Sequence, residues 1–241
     1  MTVSTRKKLA DNLDSVRRRI ADACARSRRH SEDVQLVAVT KTASLPAIKE
    51  LLSLGVTELA ESRVQQMVQR AEELDAWRAK PGENPPAVRW HMVGRLQRNK
   101  VKACLSVARV IHSVDSLRLA EEISSRAMKD DRVVDCLLEV NCSGETQKGG
   151  VAVGAAVHLA DQISTLKSIR LVGLMTMAPL VGTAEQARFA FARLGELFEE
   201  MRNEKIGGRD FRHLSMGMSN DFEVAVEEGA TMVRIGSALF E

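Results

Sequence analysis

The chain has 241 residues, 44% of them hydrophobic and 28% charged, with a formal net charge of +3. That size suits one globular domain over residues 1–241, and so small a charge excess, with no dense basic block, argues against nucleic acid as the main partner. Cys24, Cys104, Cys136 and Cys142 form no C-x-x-C pair, "MTVSTRKKLADNLDSV" has no apolar core of a secretory leader, and no apolar run reaches membrane-spanning length. The expectation is a reduced, cytoplasmic protein with no membrane partner.

In chain order, residues 5–29 carry Ala, Leu, Ile, Arg and Asp at helical spacing without Gly or Pro, which predicts one long helix. Its basic residues Arg6, Lys7, Lys8, Arg17, Arg18 and Arg19, interleaved with Asp11 and Asp14, read as a solvated face. A rhythm follows. The apolar runs "VQLVAVT" (34–40), "VTELA" (56–60), "VRWHMVG" (88–94), "RVIHSV" (109–114), "VDCLLEVN" (134–141), "IRLVGLMTM" (169–177), "FRHLSMG" (211–217) and "TMVRIGSALF" (231–240) alternate with amphipathic stretches of helical length. That alternation predicts a parallel sheet with crossover helices. Eight doubly buried strands predict a (β/α)8 TIM barrel, α/β in class, with an extra N-terminal helix. A doubly wound sheet is the alternative, weakened because no G-x-G-x-x-G follows the first strand. Residues 76–88, with Pro81, Pro85 and Pro86, read as a surface loop.

In such a barrel the chemistry gathers where strands end. The closing residues are Lys41, Glu61, His91, Ser113, Asn141, Thr176, Ser215 and Arg234, a polar set that predicts a polar pocket. Lys41 has two readings. A partly desolvated amine is a nucleophile toward carbonyls; otherwise the side chain reaches solvent or pairs with Glu61. In "LSMGMSNDFEVAVEEG", Ser215, Gly217 and Ser219 fall in a turn before a helix, with Ser219 as its expected N-cap and Asp221 in the first turn. Such a turn, and a second at Gly236-Ser237, favour an anion, as barrel loops after the last two strands often do. The first and last strands of a closed barrel are neighbours, so an aldehyde carrying a phosphate fits both ends. Arg234 either lies beside a ring nitrogen, leaving it unprotonated, or pairs with a carboxylate such as Glu139 or Glu223.

The segments "LVAVTKT" (36–42), "HMVGRLQRNK" (91–100), "IHSVDS" (111–116), "GLMTM" (173–177) and "LSMGMSNDFEVAVEEGATMVRIGSALF" (214–240) resemble the single-domain pyridoxal-phosphate-binding proteins of vitamin B6 homeostasis, relatives of the alanine racemase barrel. The resemblance implies a barrel fold and pyridoxal 5'-phosphate (PLP) as cofactor. It makes Lys41 the lysine that holds the cofactor as a Schiff base, puts the phosphate at Ser219 and Gly236-Ser237, and sets Arg234 by the pyridine nitrogen. The expected cofactor-binding set is Lys41, Asn141, Ser215, Gly217, Ser219, Arg234, Gly236 and Ser237. The chain departs from the family's G-E-N-x-V-Q-E at "AESRVQQ", with Ala60, Ser62 and Gln66 in place of Gly, Asn and Glu. It also ends at Glu241, where a glycine commonly follows the last Phe.

Three functions compete. A carrier would hold and pass on PLP without turnover, meeting other B6 vitamers and PLP-dependent apo-enzymes, and a lone barrel would do so as a monomer. A PLP-dependent amino-acid racemase needs a second acid–base group, which in alanine racemase is a tyrosine. This sequence has no tyrosine; His91 is a substitute, or a histidine that packs at its strand end. A cofactor-free, lysine-dependent aldolase would want a carboxylate relay near Lys41, for which Glu61 is the candidate. The carrier is the favoured expectation.

Overall fold

The computed structural model describes residues 3–82, 85–145, 147–179 and 183–241. Its strands are β1 (Gln35–Val39), β2 (Glu58–Glu61), β3 (Arg89–Met92), β4 (Val110–Val114), β5 (Val134–Asn141), β6 (Val151–Ala152), β7 (Ile169–Met175), β8 (His213–Ser215) and β9 (Met232–Ile235). The helices are α1 (Val3–Arg26), α2 (Leu45–Ser53), α3 (Val64–Arg78), α4 (Val101–Leu105), α5 (Leu117–Lys129), α6 (Val153–Ser164), α7 (Ala184–Asn203), α8 (Phe222–Glu227) and α9 (Ser237–Phe240). All strand pairs are parallel, and the ring β1-β2-β3-β4-β5-β7-β8-β9 closes through the β9–β1 pair.

The fold is therefore the expected (β/α)8 barrel, and each of the eight apolar runs supplies one barrel strand. Closure rules out the doubly wound alternative, which would leave two edges. The short β6, paired outside the ring with the end of β5, was not expected; two residues are too few to show a period. Part of the expected 76–88 loop is helical, since α3 runs to Arg78. That extra turn lets Trp77 pack against the core, with Lys49 Nζ 4.8 Å from its ring centroid. Residues 83–84 of that stretch lie outside the described residues.

Side-chain alternation along the strands divides the core. On β1, Leu36 and Ala38 join the large cluster between sheet and helices, while Val37 packs inside the barrel with Ala60 and Met232. The same parity turns His91, His112, Ser215 and Arg234 inward, so the barrel interior is apolar on some strands and polar on others. Helix α1 buries Leu9, Leu13, Val16, Ile20 and Ala23. Its basic residues are not all simply solvated, because Arg19 pairs with Glu223 at 2.8 Å and Arg6 with Glu50 at 2.7 Å. Among the described residues no helix is long and apolar enough to cross a membrane.

Candidate functional site at the C-terminal mouth

A cavity of about 830 Å³ opens at the C-terminal mouth of the barrel. Of the expected residues, Lys41, Ser219, Arg234, Gly236 and Ser237 line it; Asn141, Ser215 and Gly217 do not.

Lys41 follows the end of β1. The ladder continues one step past the strand, with Thr40 N–H donating to Ala60 O at 2.9 Å. The loop beyond is tied to α3, for Gln66 Nε2 donates to Lys41 O at 2.8 Å and Arg70 Nη2 to Ala43 O at 2.9 Å. The Gln66 bond uses a donor that the family's usual glutamate lacks. Lys41 is exposed rather than partly desolvated, and its amine makes no hydrogen bond or ion pair among the described residues. Glu61 is not its partner. That carboxylate is buried, accepts from Thr40 Oγ1 at 2.6 Å and pairs with Arg70 at 3.0 Å. Burial pushes its pKa up, against the opposing pull of Thr40 and Arg70.

Arg234 lies across the β1–β9 seam, on the strand that pairs with β1. It is 4% exposed yet reaches the cavity. Its Nη1 donates to Ser215 Oγ at 2.6 Å and its Nη2 to Thr176 O at 2.9 Å. The carboxylate pairings considered for it do not form. Glu223 is taken by Arg19, and Glu139 acts on Arg234 only through its charge, as Asp221 does. Desolvation lowers the Arg234 pKa to about 10, which leaves the guanidinium charged at neutral pH.

Ser219 does not cap α8. Asp221 stands at that N-cap position, and its Oδ1 accepts from Met218 N–H at 2.5 Å. Ser219 Oγ instead accepts from Gly236 N–H at 3.3 Å and Ala238 N–H at 3.2 Å. Two backbone donors thus converge on one oxygen at the cavity wall, and Ser237 opens the short helix α9 rather than a bare turn. Gly217 serves the turn itself. Its φ is +91°, and its carbonyl accepts from Arg234 N–H at 3.0 Å. Asn141 orders the loop after β5, donating from Nδ2 to Glu145 O at 2.9 Å and accepting from Gly144 N–H at 3.0 Å. The remaining strand-end residues are structural too. Ser113 Oγ donates to Gly94 O at 2.7 Å and Thr176 Oγ1 to Val140 O at 2.7 Å.

Charged residues outside the expected binding set also line the cavity, among them Glu139, Arg95 and Lys148. Glu139, on β5, is 5% exposed, and burial with the nearby Asp115 raises its pKa to about 7. Its signal was a lone carboxylate at the inward parity of "LLEVN". Arg95 sits in the quoted "GRLQRNK". Lys148 is a second lysine on the cavity wall, with its Nζ held by Ala178 O and Glu145.

The alanine racemase N-terminal domain profile matches residues 12–241. A pyridoxal phosphate homeostasis protein of Aquifex aeolicus is 40% identical over 230 residues, 95% of this chain and 96% of that one. An unknown protein of Bifidobacterium adolescentis superimposes with a TM-score of 0.92 at 36% identity, covering 100% of this chain and 97% of that one. PipY of Synechococcus elongatus, solved with PLP bound, gives 0.78 at 32% identity over 92% and 100%. The chain therefore belongs to the pyridoxal phosphate homeostasis proteins, and its barrel is of the alanine racemase N-terminal type.

Proposed function

We propose that residues 1–241 act as one domain that binds PLP at the C-terminal mouth, as a Schiff base on Lys41, and serves intracellular vitamin B6 homeostasis as a carrier without catalytic turnover. The Aquifex aeolicus relative's name and the PLP-bound PipY structure support the ligand. The observation that carries the reading is the convergence, across the β1–β9 seam, of the Lys41 amine, a buried guanidinium and the Ser219 hydroxyl on one cavity.

The residues present fit the group. PLP supplies an aldehyde for an amine and a phosphate for hydrogen-bond donors. Lys41 offers the amine, since its Nζ has no competing partner among the described residues, whereas that of Lys148 is tethered to two oxygens. Ser219 holds the Gly236 and Ala238 N–H groups on its lone pairs, leaving its own O–H to reach an anion. Arg234 has donors only, so at the pyridine nitrogen it gives a hydrogen bond and no proton. Ser215 and Gly217 act one step behind, through Arg234. The exposed position of Lys41 suits exchange with apo-enzymes and uptake of other aldehyde-bearing vitamers. Four free, buried cysteines suit a reducing, cytoplasmic setting.

Borohydride reduction of the PLP-loaded protein, followed by peptide mapping, tests the assignment. The label is expected on Lys41, and Lys41→Ala is expected to abolish it. A label on Lys148 or Lys100 would overturn it.

A further inference from the structure

Behind the cavity a continuous run of polar side chains crosses the barrel interior. Arg234 Nη1 donates to Ser215 Oγ at 2.6 Å, and that hydroxyl lies 2.8 Å from His112 Nδ1. His112 Nε2 lies 2.8 Å from His91 Nδ1, and His91 Nε2 lies 2.5 Å from Glu58 Oε2. Arg234, Ser215, His112 and His91 are all buried. The run passes from β9 through β8, β4 and β3 to β2. It ends at the first residue of β2, at the opposite, N-terminal mouth, where the Glu58 side chain is 20% exposed.

With both rings neutral, the carboxylate end fixes the direction of every bond: Glu58 only accepts, so His91 and then His112 each carry the proton on Nε2. A guanidinium has no acceptor, so Ser215 Oγ must accept from Arg234. The single hydroxyl proton is then left for His112 Nδ1. A neutral His112 carries its own proton on Nε2 and donates it to His91 Nδ1. His91 in turn carries its proton on Nε2 and donates to the Glu58 carboxylate, which only accepts. Charging His112 is opposed by burial and by His91 and Arg89 of β3, Arg234 of β9 and His213 of β8. His91 is likewise lowered by burial. Glu58 of β2 and Asp135 of β5 pull it up, and Arg89 pulls it down. Both shifts favour the neutral ring.

We propose that Ser215, His112, His91 and Glu58 are positioning residues for Arg234, a one-way hydrogen-bond chain that holds the guanidinium toward the cavity from an anchor on the far face of the barrel. Asp221 and Glu139 already act on the Arg234 charge, and the chain keeps the guanidinium from swinging into an ion pair with either. The ligand at stake is the PLP of the proposed function; the direction of the chain does not depend on it.

The test has two arms. In the ligand-free protein, imidazole nitrogen NMR is expected to show His91 and His112 both neutral with the proton on Nε2 at pH 7. An Nδ1–H tautomer or a cationic ring at either position would overturn the chain. In the second arm PLP is titrated into Glu58→Gln, Glu58→Leu and Ser215→Ala. A glutamine oxygen still accepts from His91, so Glu58→Gln is expected to stay within about twofold of the parent dissociation constant. Glu58→Leu and Ser215→Ala are expected to weaken binding roughly tenfold and to displace the absorption band of the bound cofactor. Ser215→Ala cuts the chain beside Arg234 and decides the matter if Glu58→Leu does not fold. Unchanged affinity and spectrum in Ser215→Ala would overturn the positioning role. A parent protein that binds no PLP would instead overturn the proposed function, and the NMR arm would still decide the chain.

Discussion

Single side chains in the cavity differ less in type than in what they already touch. Ser219 is a junction, with its lone pairs on two backbone N–H groups and its proton free for an anion. Ser219→Ala removes the bridging hydroxyl, worth about 1 kcal/mol as a hydrogen bond. The PLP dissociation constant is expected to rise roughly fivefold with the fold intact, as a titration followed by absorbance would show. Glu139 carries a different cost. Its pKa is about 7 in the fold against an ordinary 4.5, so the folded state binds the extra proton between those values. The resulting stability is present below pH 4.5 and lost as pH rises through 7, an effect of about 3 kcal/mol. Glu139→Gln removes the titration. Denaturant unfolding at several pH values is expected to show the variant gaining on the parent from pH 5 to 8; a constant difference would contradict the shift.

Turns and strands set which residues reach the cavity. Gly217 holds a φ of +91°, and a Cβ there would lie 2.6 Å from Ala225 Cβ and 2.8 Å from Phe222 Cα. Gly217→Ala is expected to destabilise the protein by about 2 kcal/mol or more, read as a lower unfolding midpoint, by prying α8 from the turn that fixes Arg234. This glycine was legible in the sequence as a turn residue of the site, but its task is packing. The same distinction explains the other differences. Apolar runs and their spacing show where strands lie, since eight doubly buried strands leave few arrangements. The last residue of each run shows only that burial has ended. Which face that residue takes follows from the period of two, and by that parity Glu61 and Ser113 point away from the interior while Arg234 and Ser215 point in. Parity also marks His112 and Glu139, which sit inside runs rather than at their ends. The capping partner of Ser219 was not legible, because it depends on α9 folding back beside the β8–α8 turn. The tethering of Lys148 was not legible either, because its partner Ala178 lies in the segment after β7.

In the molecule as a whole, the cavity has no tyrosine to serve as the second acid–base group that alanine racemase uses. His91, the residue considered as its substitute, is locked between His112 and Glu58 away from the cavity. General acid–base help is typically worth about 10² to 10⁴ in rate. The PLP-loaded protein is expected not to racemise alanine. Deuterium uptake at Cα of L- and D-alanine in heavy water, with Lys41→Ala as the blank, checks this; lysine-dependent exchange with inversion at about 1 per second or faster would contradict it. The seam on which the cavity is built has a further consequence, for synthesis. Lys41 follows the first strand, and Arg234, Gly236 and Ala238 belong to the last strand and the helix after it. β1 cannot gain its β9 neighbour until that later stretch has left the ribosome, so a nascent chain carries Lys41 until then with neither Arg234 nor Gly236 opposite it. On the proposed function, a chain still short of β9 is expected to hold cofactor more weakly than one in which the β9–β1 pair has formed.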